Sequence, residues 1–328
     1  MKKIIELNGI TSIPEFYNGM VLVCSSNTLF FVSEQTGEIV HEICFDTWYP
    51  LEVSDGKLLM YKNDLFIYDD EIKNFVVYQN SIGGGSVAIF NDKVIEDNYD
   101  RKSKSVQVTL YEKSSNAQLW QNTFPDRVGS SIWGKNLYIT DLSYKYIDFI
   151  DVQTGEIRNT LHFENPPISR FIYNYEDTLI VSLEIQPLEN YRLLGLDART
   201  GEEKWSLEST HYSYIQDHVS GCLYGIGGKR FDIIAPNEGK YLCQGDMSDE
   251  NKKFDVCPER GVLGKDGIYF LDNFPRSKIG LINLKTQKIE FVIDLNLPDG
   301  VKITSMSYHN GRLYVKDTND MLHIFAEE

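Results

Sequence analysis

A short pattern recurs eight times along the chain: one or two turn-forming residues, one spacer, then a pair of β-type apolar residues. It reads Gly19-Met20-Val21-Leu22, Gly56-Lys57-Leu58-Leu59, Asp92-Lys93-Val94-Ile95 and Lys135-Asn136-Leu137-Tyr138, then Asp177-Thr178-Leu179-Ile180, Gly221-Cys222-Leu223-Tyr224, Asp266-Gly267-Ile268-Tyr269 and Gly311-Arg312-Leu313-Tyr314. With the third residue of each as marker, the gaps are 37, 36, 43, 42, 44, 45 and 45 residues. A period near 40 residues means that one supersecondary unit is being repeated. A second pattern follows many of the markers. Its fullest copy is Leu196-Asp197-Ala198-Arg199-Thr200-Gly201-Glu202-Glu203-Lys204-Trp205, with partial copies at Asp151–Glu156, Glu34–Glu38, Asn283–Gln287 and, ending in Trp, Ser115–Trp120. This is a strand, a tight turn with Gly at positive φ, and a returning strand, the entry Asp accepting hydrogen bonds from the turn's own backbone.

Each period therefore holds four short strands and three turns, and no helical periodicity competes with them. Four-stranded units of this length are propeller blades. The expectation is an all-β, eight-bladed β-propeller of antiparallel four-stranded blades, one domain over residues 1–328. Seven blades follow if the unit around residues 222–258 falls short of a full blade. The final unit runs out after Met321–Phe325, one strand short, while Lys2–Leu7 precedes the first unit without a blade of its own. The N-terminal strand is expected to complete the last blade and so remove two exposed edges.

The Asp-x-x-Thr-Gly-x-x-x-Trp stretch from Asp197 to Trp205 resembles the repeat of the pyrroloquinoline-quinone-like propellers. That superfamily includes quinoprotein dehydrogenases and the eight-bladed lipoprotein of the outer-membrane assembly machinery. The resemblance implies the architecture and is poor for function. Quinoprotein enzymes are exported, longer, and carry adjacent cysteines and acidic metal ligands. This sequence shows neither a signal peptide nor an adjacent Cys pair. Trp205 and the Asp197 turn are accordingly expected to be structural, the indole packing between blades.

Composition narrows the partner. Lys and Arg number 32 against 48 Asp and Glu, a net charge of −16. That disfavours nucleic acid and anionic membranes, both of which require basic surfaces. No run reaches the about 18 apolar residues of a membrane span. Glu6, Asn8, Thr11, Ser12 and Glu15 interrupt any signal-peptide core behind Met1-Lys2-Lys3, and the five cysteines form no CxxC pair. A cytoplasmic protein with reduced thiols is expected.

Motif chemistry is sparse. The six histidines include no pair at metal-ligand spacing, no Gly-x-Ser-x-Gly occurs, and the glycine-rich runs 83–85 and 225–228 precede no helix. The oxygen-rich stretches Asp97–Asp100 and Asp246–Glu250 lack the spacing and central Gly of a calcium loop, and are expected as solvated acidic turns. No cofactor and no metal are expected.

What remains is surface. In a four-stranded meander the first-to-second and third-to-fourth turns share one end, and these are short and regular here. The other end receives the irregular segments, among them Glu96–Lys104, Glu184–Asn190, Ser209–Tyr212 and Gly245–Pro258. Residues 1–100 hold 16 acids against 6 bases, so one sector is expected to be strongly negative. The candidate protein-binding residues are Trp48, Tyr49, Asp69, Asp70, Glu71, Asp97, Tyr99, Asp100, Tyr144 and Tyr212, aromatic anchors in a charged rim. The expectation is a non-enzymatic propeller, monomeric when free, that engages a basic protein. Its most concrete form is an immunity protein that neutralises a nuclease-type toxin. The alternatives are an enzyme acting on a carbohydrate or other small molecule at the central channel, and a scaffold like the outer-membrane assembly lipoprotein.

Overall fold

The computed structural model describes residues 1–45, 51–54, 56–61, 65–79, 86–90, 93–112, 115, 117–133, 136–141, 145–163, 168–186, 190–211, 213–217, 219–227, 230–247 and 254–326. Among these there is no helix, and the strands form eight four-stranded antiparallel sheets, the blades of an eight-bladed β-propeller. Two compact units divide the chain: Met1–Trp48 with Ser213–Ala235 and Tyr241–Glu328, and Tyr49–Tyr212 with Pro236–Lys240.

In the second unit, blade 2 is β6 (Leu51–Ser54), β7 (Lys57–Tyr61), β8 (Leu65–Asp69) and β9 (Asn74–Gln79). Blade 3 is β10 (Ser86–Phe90), β11 (Lys93–Asp100), β12 (Ser105–Glu112) and β13 (Gln118–Pro125). Blade 4 is β14 (Gly129–Trp133), β15 (Asn136–Thr140), β16 (Tyr146–Ile150) and β17 (Ile157–His162). Blade 5 is β18 (Ile168–Tyr175), β19 (Thr178–Gln186), β20 (Asn190–Asp197) and β21 (Glu203–Ser209).

In the first unit, blade 1 is β2 (Glu15–Tyr17), β3 (Met20–Ser25), β4 (Thr28–Ser33) and β5 (Ile39–Cys44). Blade 6 is β22 (Ile215–Gln216), β23 (Leu223–Gly227), β24 (Arg230–Ala235) and β25 (Lys240–Asp246). The doubtful unit around residues 222–258 thus supplies a full blade, although its first strand has shrunk to two residues. Blade 7 is β26 (Val256–Leu263), β27 (Gly267–Asp272), β28 (Lys278–Asn283) and β29 (Lys288–Asp294). Blade 8 is β30 (Ile303–His309), β31 (Arg312–Asp317), β32 (Leu322–Ala326) and, beside β32, the N-terminal β1 (Lys2–Leu7).

Every marker of the repeat lies on the second strand of a blade, and all eight are buried. These strands are covered on both faces, which explains why β27 is buried throughout and β31 nearly so, without alternation. The fourth strands read differently: β5, β17 and β25 alternate exposed and half-buried side chains, as sheet edges do. Apolar seams join blades within each unit. Tyr138, Ile147 and Phe149 of blade 4 pack against Leu179, Val181 and Leu194 of blade 5. Tyr269, Leu271 and Ile279 of blade 7 meet Met306, Leu313 and Val315 of blade 8.

Blade 8 closes through a carboxylate–imidazole–carboxylate clamp. His323 on β32 sets Nε2 3.0 Å from Asp317 Oδ2 on β31 and Nδ1 3.0 Å from Glu6 Oε1 on β1. Asp317 Oδ1 also accepts the backbone N–H groups of Asn319 at 2.8 Å and Met321 at 3.1 Å, and Glu6 pairs with Lys3. His323 and Asp317 are both buried, so each satisfies a group that would be costly to leave alone.

Some segments expected as irregular loops are strand. Residues Glu96–Asp100 continue β11, and β19 runs to Gln186. The acids do not break β11 because the buried ones have partners: Tyr111 Oη donates to Glu96 Oε2 at 3.2 Å, and Ser130 donates to Asp97. The expected solvated turn at Asp97–Asp100 is thereby corrected.

Two predictions test this architecture. Leu313→Ala, at a fully buried marker, should destabilise the protein by about 2–5 kcal/mol in urea denaturation through the cavity it leaves. His323→Leu should cost about 2–3 kcal/mol by stripping Asp317 of its ring partner. Unchanged urea midpoints would remove the clamp from the account of closure.

Candidate functional site

The turn between the third and fourth strands is the most regular local device in the chain. At Asp197, Oδ1 accepts the backbone N–H groups of Arg199 at 2.9 Å and Thr200 at 2.8 Å, and Gly201 follows at φ +76°. Asp151 does the same with Gln153 at 2.8 Å and Thr154 at 3.1 Å, before Gly155 at φ +74°. A methyl added at Gly155 would lie 2.7 Å from Trp120 Cδ2, so glycine is required for close approach as well as for φ. Trp120 Nε1 donates to Val152 O at 2.9 Å, which fastens blade 3 to the blade 4 turn. Trp205 lies against Gly195 and Gly239 in the same manner, in the structural role expected of it.

Asp69, Asp70 and Glu71 occupy the equivalent turn of blade 2. Asp69 Oδ1 accepts from Glu71 N at 2.8 Å and Ile72 N at 3.1 Å, so this acid shapes the turn. Asp70 and Glu71 are exposed beside it, with Ile72 and Lys73. The other described candidates lie elsewhere. Asp97 is buried on β11, its Oδ2 accepting Ser130 N at 2.7 Å and Ser130 Oγ at 2.9 Å, a bond between blades 3 and 4. Tyr99 is half-buried on the same strand, paired with Val106. Asp100 ends β11 and accepts Lys102 N at 2.9 Å and Ser103 Oγ at 2.8 Å. The backbone N–H of Lys102 foremost, with Ser103, holds the Asp100 carboxyl below its usual range. Trp48, Tyr49, Tyr144 and Tyr212 lie outside the described residues.

The predicted patch is therefore divided. The blade 2 turn joins third and fourth strands, whereas Asp100 enters a second-to-third turn, at the opposite end of the meander. That second turn is basic: Arg101, Lys102 and Lys104 are exposed, while Glu96 and Asp97 are buried upstream. Sequence counting treated all of these acids as surface. The hydroxyls of Tyr111, across the sheet, and of Ser130, in the following blade, remove two of them and are distant in sequence. Among the described candidates the exposed acids are Asp70 and Glu71 at the blade 2 turn, and Asp100 beside the basic residues of its own turn.

One concave site was approached by the sequence without being resolved by it. A cavity of about 290 Å³ is lined by Ile185, Gln186, Asn190, Tyr191, Arg192, Glu208 and Ser209. Its lining comes from Glu184–Asn190 and Ser209–Tyr212, two of the segments expected as irregular loops, and from the strand ends beside them. A β-bulge between Glu184 and Gln186 shapes its rim, and Asn190 Nδ2 donates to Gln186 Oε1 at 2.5 Å. Arg192 and Glu208 stand opposite each other on β20 and β21, so the lining offers both charges and amide groups to a small polar occupant.

Other polar groups serve the scaffold. Arg127 donates through Nε to Asp148 Oδ2 at 2.5 Å, and its guanidinium lies 4.7 Å above the Tyr146 ring, itself stacked on His162. Burial pushes the Cys24 thiol up to about 12, leaving it protonated and unreactive. Among the described residues no group of three or more His, Cys, Asp or Glu side chains is arranged to hold a metal.

No protein-family model matches the chain, and no curated protein matches it. Solved structures do. BamB from Moraxella catarrhalis superposes with a TM-score of 0.62 at 12% identity, covering 99% of each chain. The computationally designed Ika8 protein reaches 0.67 at 10% identity over 100% of each. The dihydro-heme d1 dehydrogenase NirN reaches 0.59 at 12% identity, covering 98% of this chain and 78% of its own. At these identities the likeness is one of fold, and it meets the architecture that the Asp197–Trp205 repeat implies. A designed protein and a dehydrogenase on one scaffold leave function to the sites.

The turn carboxylates carry a pH prediction. Arg158, the largest contributor, lowers Asp151 below its usual range. At Asp197 burial alone would raise the carboxyl, but the N–H groups of Thr200 and Arg199 together lower it. Groups lowered in the folded state stabilise it above the ordinary carboxylate range, and that support is lost as pH falls through their lowered values. Urea midpoints should therefore drop on acidification below about pH 4. Asp197→Asn, which keeps the turn acceptor but cannot titrate, should flatten the slope.

Proposed function

We propose that this chain is a non-enzymatic, cytoplasmic, protein-binding propeller whose acidic surface engages a basic protein. Its most concrete form is an immunity protein that covers the active site of a cationic, nuclease-type toxin. The observation that carries the reading is the exposed pair Asp70–Glu71, held in place by the Asp69 turn, in a chain of net charge −16. A negative field of this kind speeds encounter with a cationic partner and weakens with salt. Five free cysteines, two of them buried, support a reducing compartment.

The test is capture on the immobilised protein from lysate of its own host, with washes of rising salt. The expected result is one basic protein released as salt increases, and nuclease activity in that protein which added propeller suppresses. Asp70→Lys with Glu71→Lys should weaken its retention by about tenfold or more. Background alone at low salt, or a partner indifferent to both salt and charge reversal, would overturn the reading.

A further inference from the structure

The fourth strand of each blade is a sheet edge, and soluble proteins protect such edges with charges, prolines or bulges. Seven of the eight follow that rule by composition. Charged residues stand in β1 (KKIIEL), β5 (IVHEIC), β17 (IRNTLH), β21 (EKWSLES), β25 (KYLCQGD) and β29 (KIEFVID), and β13 (QLWQNTFP) ends in proline. The exception is β9, Asn74-Phe75-Val76-Val77-Tyr78-Gln79, with neither; its bulge lies at Tyr78, and Asn74–Val77 pair with β8 in regular register. It is the last strand of its sheet, Val76 and Val77 are 38% and 50% exposed, and Ile72 just before it is 59% exposed. At its start Asn74 Oδ1 accepts the Phe75 N–H at 2.8 Å, and the Phe75 ring meets Tyr68.

From this juxtaposition we infer that β9 is the docking edge for an extended basic segment of the partner protein, which adds to blade 2 as a fifth strand. The inference rests on the basic-partner reading above and names the element that does the binding. Main-chain hydrogen bonds to the uncharged edge supply affinity; alternate β-branched side chains of the segment pack beside Val76 on one face of the sheet, and the intervening basic ones share the other face with Val77. Charge selects the occupant. The strand begins at a turn carrying Asp69, Asp70 and Glu71 against the single base Lys73, so lysines or arginines in the incoming segment meet opposite charge. A second copy of this chain brings another −16 to the same edge and is repelled. The Asn74 side chain covers the edge until the segment displaces it.

The probe is a labelled decapeptide alternating Lys and Val, compared with its Glu–Val counterpart and followed by fluorescence anisotropy. Amide hydrogen exchange is read over residues 74–77. The Lys–Val peptide should bind and protect those amides, and the Glu–Val peptide should do neither. Val76→Lys, which installs the missing edge charge at an exposed site, should weaken binding about tenfold, whereas Val40→Lys on the β5 edge should leave it unchanged. Binding without protection of 74–77, equal loss with both variants, or no peptide binding overturns the inference. So does concentration-dependent dimerisation abolished by Val76→Lys, which assigns the edge to a second copy. If a basic protein is still captured with salt sensitivity but ignores Val76→Lys, the edge falls and the basic-partner reading stands. If nothing basic is captured, both fall.

Discussion

A four-stranded sheet whose second strand is apolar on both sides cannot cover itself. Leu179 or Leu313 is buried only because a neighbouring blade supplies the opposite wall, and each seam within the two units repeats that exchange. Stability is thus held in blade-to-blade contact more than in any single sheet. A fully buried Leu or Ile contributes about 1.5–3 kcal/mol, and the eight marker positions are spent this way. The turn devices make sense in the same terms. An Asp that caps its own turn, a residue at positive φ and a close-packed glycine bring the turn of one blade onto the fourth strand of the preceding one, as Gly155 does on Trp120.

The N-terminal strand obeys that constraint at the end of the chain. Blade 8 has three strands of its own, and β1 pairs with β32 from Lys2↔Ala326 to Leu7↔Leu322. The clamp of Glu6, His323 and Asp317 adds directional contacts to that pairing, since a buried imidazole between two carboxylates satisfies all three partners in one register.

Function is carried by what this scaffold does not need. Of the acids read as surface charge, Asp97 bridges two blades, and Asp69 and Asp100 shape turns. The blade 2 turn sets exposed Asp70 and Glu71 beside an edge strand without charged residues. Exposed carboxylates beside an uncharged edge strand combine long-range attraction with a template for main-chain pairing.

The blade count, the strand order within a blade and the closing role of Lys2–Leu7 were legible in the sequence. They depend on spacing and on local turn chemistry, and a period near 40 residues admits few solutions. The markers were the clearest signal because strands covered on both faces must be apolar throughout. The acids were a poorer guide. Whether Asp97 faces water or Ser130 depends on a residue 33 positions away, and no local pattern records that meeting. The bulge that opens the blade 5 cavity, and the basic turn that replaces an expected acidic loop, were decided by cross-strand register. Repetition determined the scaffold because each blade solves the same local problem. Tertiary structure decided which charges remain at the surface, because burial and pairing belong to neighbours distant in sequence.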